Sequence, residues 1–214
     1  MTTIALVAFD GFTDIDLLLP WDILNRVKAV GWQVNIVGMS STHRSARGLL
    51  IQTQAPLDTV ATADVVLLVG GDGVRMCIHS QDFLDKLCLN PERQLICAQC
   101  SGALILGALG LLKGQAATTY PTAEKELSAM GVQVIERPLV IHDNIATAGG
   151  CLSTLYLIAW ILQRTVGIAE TRRVLADAAP VGESKMFVTA IENVVAASIT
   201  SVAHPTDTWM DSTR

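Results

Sequence analysis

The sequence predicts an α/β fold, a single domain built as a three-layer α/β/α sandwich around a mostly parallel sheet. Three observations point there. Short β-branched runs alternate with longer helical ones along the chain. The run at 65–69 is wholly apolar, as a parallel strand covered on both faces must be. At 94–113 one apolar run stops at the small-residue turn Cys100-Ser101-Gly102 and a second begins at once, a buried strand handing over to a helix. With 214 residues, 50% of them hydrophobic and 16% charged, the chain can bury one substantial core. Residues 1–203 are therefore expected to form one domain, with a polar tail at 204–214.

In chain order, 4–9 reads as a buried strand, 17–30 as a helix stopped by Gly31, and 32–37 as a second strand. Residues 49–54 alternate weakly, as an edge strand would, and 65–69 is the covered parallel strand. A short helix at 81–89 precedes the strand at 94–97 that leads into Cys100. After the helix beyond Cys100, 122–130 reads as a helix stopped by Gly131, and 132–135 as a strand. The apolar pair 139–141 and 145–148 flanks His142-Asp143-Asn144, a hairpin signature. Helices at 151–164, 168–178 and 185–199 follow. There is no internal repeat and no low-complexity segment.

Composition narrows the partners. A net charge of −5 without a Lys/Arg cluster argues against nucleic acid or an acidic membrane surface. Mean hydropathy is high at +0.43, yet Gly, Lys or Gln interrupts each apolar run before the roughly 20 residues that a bilayer span needs. Five cysteines without disulfide-framework spacing, and no basic leader before the first apolar run, lead us to expect a reducing cytoplasm. The partner expected is a small molecule, and no cofactor or metal is called for.

In such sheets ligands bind beyond the carboxyl ends of the strands, here near Phe9, Val69 and Cys97. Cys100 has the setting of a nucleophile elbow. Gly102 removes a Cβ that would block the turn, and the free N–H groups of the helix behind it should ease ionisation of the thiol. Gly70-Gly71-Asp72-Gly73 follows a strand and would let backbone N–H groups approach an anion, although a plain strand-to-loop turn explains it too. A dinucleotide fingerprint fails, because Met76 takes the third glycine position and no phosphate lysine follows. Asp16 is hemmed in by Ile15 and Leu17-Leu18-Leu19, which should raise its pKa and suit it to donate a proton. Its alternative role is to cap the helix expected from Leu17. Asp14 and Asp22 compete but lack apolar neighbours on both sides. Cys97 and Cys100 form a Cys-x-x-Cys pair, which invites a redox or metal reading; Cys97 in an apolar strand reads instead as a small hydrophobe, and no second pair completes a zinc site. Cys77, Cys88 and Cys151 read as structural. None of His43, His79, His142 and His204 falls in a predicted strand-end loop beside Cys100, so the thiol is expected to work without imidazole.

Taken together, Asp16 in Phe-x-Gly-x-x-x-x-Asp-x-x-x-Pro, Gly70-Gly71, Cys100-Ser101-Gly102-Ala103-Leu104, Ala117-Thr118-Thr119 and Thr147-Ala148-Gly149-Gly150 resemble the ThiJ/PfpI superfamily over about 4–200. The resemblance implies a flavodoxin-like sandwich of the class I glutamine amidotransferase-like type. Within it the sequence looks most like isonitrile hydratases, which add water to an isonitrile to give an N-substituted formamide. That likeness implies Cys100 as nucleophile, Asp16 as its acid partner and N–H donors at Gly71 and Ser101, with Gly70, Tyr120 and Gly150 also lining the substrate. It further implies a homodimer. Protease-like members carry a histidine after the elbow cysteine, where this chain has Ser101, and deglycase and glyoxalase-like members have one where it has Tyr120. Isonitrile hydratases often have His-Trp where Tyr120-Pro121 stands. The alternatives are a glyoxalase-, deglycase- or amidase-like enzyme, or a stress sensor in which Cys100 is simply oxidised. Relatives with an appended helix-turn-helix run longer than this chain, which ends at Arg214.

Overall fold

The computed structural model describes residues 1–198. The tail at 204–214, the domain end at 203 and residue 199 of the expected terminal helix lie outside the described residues. Strand β1 (Thr2–Val7) leads to helix α1 (Asp14–Leu24) and strand β2 (Trp32–Gly38). The pair β3 (Thr42–Arg44) and β4 (Leu50–Gln52) precedes β5 (Ala55–Pro56), a 3-10 turn at Leu57–Ala61 and β6 (Val65–Leu68). Helices α2 (Val74–Ile78) and α3 (Gln81–Lys86) lead to β7 (Leu95–Gln99), which passes through a 3-10 turn at Cys100–Gly102 into α4 (Ala103–Ala108). Then come β8 (Ala116–Ala117), α5 (Glu124–Ala129), β9 (Gln133–Val134), β10 (Leu139–His142) and β11 (Ile145–Ala148). A 3-10 turn at Cys151–Ser153 opens the closing helices α6 (Thr154–Thr165), α7 (Gly167–Ala178) and α8 (Ser184–Ala197).

The main sheet has the order β10-β11-β7-β6-β1-β2-β5. Every neighbouring pair is parallel except the hairpin β10/β11. Helices α1, α6, α7 and α8 pack together, and α2, α3, α4 and α5 form a second group; the two groups cover the sheet. Burial on both faces explains the central composition. All four residues of β6, and Ile96, Cys97 and Ala98 of β7, are inaccessible to solvent, so no polar alternation can survive there. The expected α/β/α sandwich is the fold observed.

Local departures have local causes. Helix α1 starts at Asp14 rather than 17, from an extended Thr13, and ends at Leu24, whose carbonyl accepts the Trp32 indole N–H at 2.8 Å. Pro20 therefore lies inside the helix, and its missing N–H leaves the Asp16 carbonyl without the usual helical donor. The edge strand expected at 49–54 pairs instead as β4 with β3 in a separate hairpin, and β5 forms the sheet edge. Leu49 and Leu50 are exposed and only Ile51 of that segment packs against the core, so little drew it onto the sheet. Helix α2 was hidden by the glycines at its start.

Candidate active site

The central strands deliver three chain segments to one end of the sheet. The loop after β1 is tied to the end of β6 by the Thr13 N–H, which donates to the Gly70 carbonyl at 2.9 Å, and by a bridge between Phe12 and Gly71. Beside β6, β7 ends at Cys100, whose φ of 55° lies in the left-handed region that non-glycine residues avoid. Such a conformation persists only where the surroundings impose it. Here a Cβ on Gly102 would lie 2.5 Å from the Leu68 carbonyl oxygen, so glycine is needed for the elbow to fold back on β6. The Thr119 hydroxyl holds the other side, donating to the Cys100 carbonyl at 2.9 Å.

Asp16 reaches the elbow from the first turn of α1. One of its carboxyl oxygens, Cys100 Sγ and Cys151 Sγ all lie within 4.8 Å of one another. Asp16 is fully buried, and neither oxygen makes a hydrogen bond. It caps nothing, which removes the helix-cap alternative. Its rivals are occupied elsewhere: Asp14 accepts from the Ser45 hydroxyl at 2.7 Å, and Asp22 pairs with Arg26 at 2.7 Å on the surface.

Burial dominates the electrostatics. It pushes the Asp16 carboxyl up, against the milder pull of the Cys151 thiol, the Gly70 N–H, the Cys100 thiol and the Gln99 amide, which lie close without completing hydrogen bonds. The Cys100 thiol is also pushed up, first by burial and then by the Asp16 charge, while the Ser101 N–H works the other way. The expectation of an easily ionised thiol is thus corrected: one N–H at a short, buried helix start does not outweigh lost hydration beside a carboxylate. Two negative charges cannot be held there together at low cost, so the pair titrates as a unit. When Cys100 is the thiolate, Asp16 keeps the proton.

The other expected residues divide. Gly70 makes room, since a Cβ there would lie 2.6 Å from Cys100 Cβ and 2.7 Å from Asp16 Oδ2. Gly71 departs from expectation: its N–H donates to Ser101 Oγ at 3.0 Å, so it does not face an incoming anion. The hydroxyl of Ser101 is consumed by that contact, and its N–H lies at the Cys100 sulfur. Tyr120 is 41% exposed and opens the 3-10 turn after Thr119; no contact places its ring at the thiol. Gly150, with φ of 97°, shapes the loop after β11, and its carbonyl accepts from the Gln99 side chain at 3.0 Å. Gln99 also donates to the Cys151 carbonyl at 2.7 Å, which ties that loop to the elbow strand.

Cys151 is the residue that sequence reasoning missed. It follows β11, which lies directly beside β7, so its loop opens at the same end of the sheet as the elbow. The rule that gathered the ends of β1, β6 and β7 would have found it had β11 been included. Burial and Asp16 push its thiol up to about 11. Cys97 is wholly buried within β7, as expected of a small hydrophobe. Among the described residues no histidine joins the cluster; His43 sits at 3.5 Å from Asp10 and the ring of His142 contacts the Ala116 carbonyl. A cavity of about 520 Å³, lined by Thr118, Thr119, Arg137, Pro138 and Gly149 among others, does not include the thiol.

Comparison with known proteins identifies the family and the fold. The DJ-1/PfpI family profile matches residues 2–164. An isonitrile hydratase of Pseudomonas putida is 27% identical over 167 residues, covering 77% of this chain and 72% of that protein. A deglycase of Pyrococcus horikoshii is 25% identical over 139 residues, covering 62% and 81%. Among solved structures, a ThiJ/PfpI family protein of Pseudomonas syringae superposes with a TM-score of 0.75 at 24% identity, covering 92% of this chain and 87% of that one.

Proposed function

Because the chain belongs to the DJ-1/PfpI family, we propose that Cys100 is a catalytic nucleophile and that the site hydrates an isonitrile to an N-substituted formamide. The observation that carries this reading is a buried carboxyl beside the elbow thiol with no histidine in the cluster among the described residues. Likeness to the P. putida isonitrile hydratase supports it, and a deglycase of comparable identity is the main rival.

The chemistry suits the groups present. The Cys100 thiolate attacks the terminal isonitrile carbon, forming a C–S bond and leaving electron density on that carbon. Asp16 transfers its proton there, giving a thioimidate. Water then adds to the thioimidate carbon while the Asp16 carboxylate accepts its proton. Asp16 passes that proton on to the nitrogen; collapse then breaks the C–S bond, expels the Cys100 thiolate and hands the hydroxyl proton to Asp16, which releases the N-substituted formamide and restores the pair. Deglycation or peptide hydrolysis needs protons shuttled to oxygen or to a leaving amine, a task commonly given to histidine.

Pairing with a second copy is part of this proposal. Ile15 and Trp21 on α1 and Leu152 next to Cys151 are exposed apolar side chains on neighbouring elements, a surface suited to cover the mouth of the site.

The test is turnover of an aryl isonitrile, followed by formamide absorbance, against methylglyoxal consumption and peptide cleavage, with Cys100→Ala as blank. Formamide production is expected to dominate. Methylglyoxal loss with no formamide from several isonitriles would overturn the assignment.

A further inference from the structure

The second thiol is not needed for hydration, yet it sits at the same carboxyl. Cys151 opens a 3-10 turn right after Gly149-Gly150, and the Gln99 side chain, donating to the carbonyls of both Gly150 and Cys151, holds that turn against the elbow strand. Cys151 is half-buried, whereas Cys97 is sealed in β7 and lies outside that cluster. Asp16, with two unpartnered oxygens inside the core, is placed within reach of both sulfurs.

From this arrangement we propose a further activity: Cys100 and Cys151 act as a dithiol that reduces hydroperoxides and closes to an intramolecular disulfide. It rests on the three-group geometry alone and stands whether or not isonitriles are substrates.

The steps balance. The Cys100 thiolate attacks the terminal oxygen of the hydroperoxide, the O–O bond breaks, and the alkoxide or hydroxide leaves with the Asp16 proton as alcohol or water. Cys100 is now a sulfenic acid and Asp16 a carboxylate. Cys151 passes its proton to Asp16 and its thiolate attacks the Cys100 sulfur. The S–S bond forms, the S–O bond breaks, and hydroxide leaves as water with that same proton. Two thiols are oxidised by two electrons and one hydroperoxide is reduced; an external dithiol reopens the disulfide. Capture by Cys151 stops Cys100 from climbing to the sulfinic and sulfonic acids.

The experiment is intact-mass and peptide analysis of the whole protein after equimolar hydrogen peroxide. Wild type is expected to lose the mass of two hydrogens, to yield a linked pair of peptides in which fragmentation assigns the bond to Cys100 and Cys151, and to recover with dithiothreitol. Cys151→Ala and Cys151→Ser, shown folded by circular dichroism, are expected to gain oxygen at Cys100 instead. Consumption of peroxide under excess dithiothreitol should fall at least tenfold on repeated cycling in both variants, as Cys100 is overoxidised. Oxygen addition to Cys100 in wild type as fast as in the variants, or a disulfide through Cys77, Cys88 or Cys97 or between molecules, would overturn the proposal. Isonitrile turnover by the reduced wild type is measured in parallel, so failure of one reading is separable from failure of the other.

Discussion

The Asp16 carboxyl and the Cys100 side chain meet across a space that only a glycine at position 70 leaves open. A methyl group on Gly70 would lie 2.7 Å from Asp16 Oδ2 and 2.6 Å from Cys100 Cβ. The acid, on the first turn of α1, and the thiol, at the end of β7, are 84 positions apart in sequence (100 − 16) and share their environment because the end of β6 passes between them.

Gly70→Ala should therefore separate the pair. It is expected to lower stability by about 1–3 kcal/mol, the usual cost of overpacking, and to reduce turnover far more than that loss explains. Urea unfolding beside isonitrile kinetics checks it; full activity would show that the contact is not needed.

Cys100→Ala should abolish turnover and shift the melting temperature only slightly, since a single buried atom is removed and the left-handed backbone is retained. Calorimetry with the turnover assay reads both. Residual activity would remove the central claim.

Asp16→Asn separates chemistry from stability. The rate should fall roughly 10²-fold or more, as for a lost general acid. Burial raises the folded-state pKa of Asp16, so its contribution to stability is fully present below the unfolded carboxyl value and is lost as pH rises through the raised one. Asparagine stays neutral, so the variant is expected to melt above wild type on the alkaline side of that raised value, with the gap closing on acidification. Melting curves across pH test this; a variant less stable at every pH, with its rate unchanged, would argue for a structural Asp16.

Away from the site, Glu170 accepts from Arg173 at 2.6 Å and from the Lys28 N–H at 3.3 Å, and Arg173 donates to the Arg26 carbonyl at 2.7 Å, clasping the exit of α1 to α7. The Arg173 hydrogen bond holds the Glu170 pKa down to about 2. That contribution is present above the unfolded carboxyl value and is lost as pH falls through about 2. Glu170→Gln should lower the melting temperature slightly at neutral pH, solvent screening keeping the effect small. The difference should vanish in strong acid.

The sequence alone determined the sandwich and the elbow, because both depend on local pattern. The short, β-branched apolar run at 65–69, bounded by Asp64 and Gly70-Gly71, suits a covered strand, and Cys100-Ser101-Gly102 between two apolar runs marks a sharp turn. It also singled out Asp16 among three aspartates, since apolar neighbours on both sides carry a carboxyl into the core. Only the tertiary structure decided what depends on which strand lies beside which. The adjacency of β11 and β7 brought Cys151 to the carboxyl, and that of β6 and β7 turned the Gly71 N–H onto Ser101. The acidity of Cys100 was decided there as well. A helix start favours a thiolate through the few N–H groups nearest it, whereas desolvation and the Asp16 charge come from every element packed around the sulfur, and no local stretch of sequence records that sum.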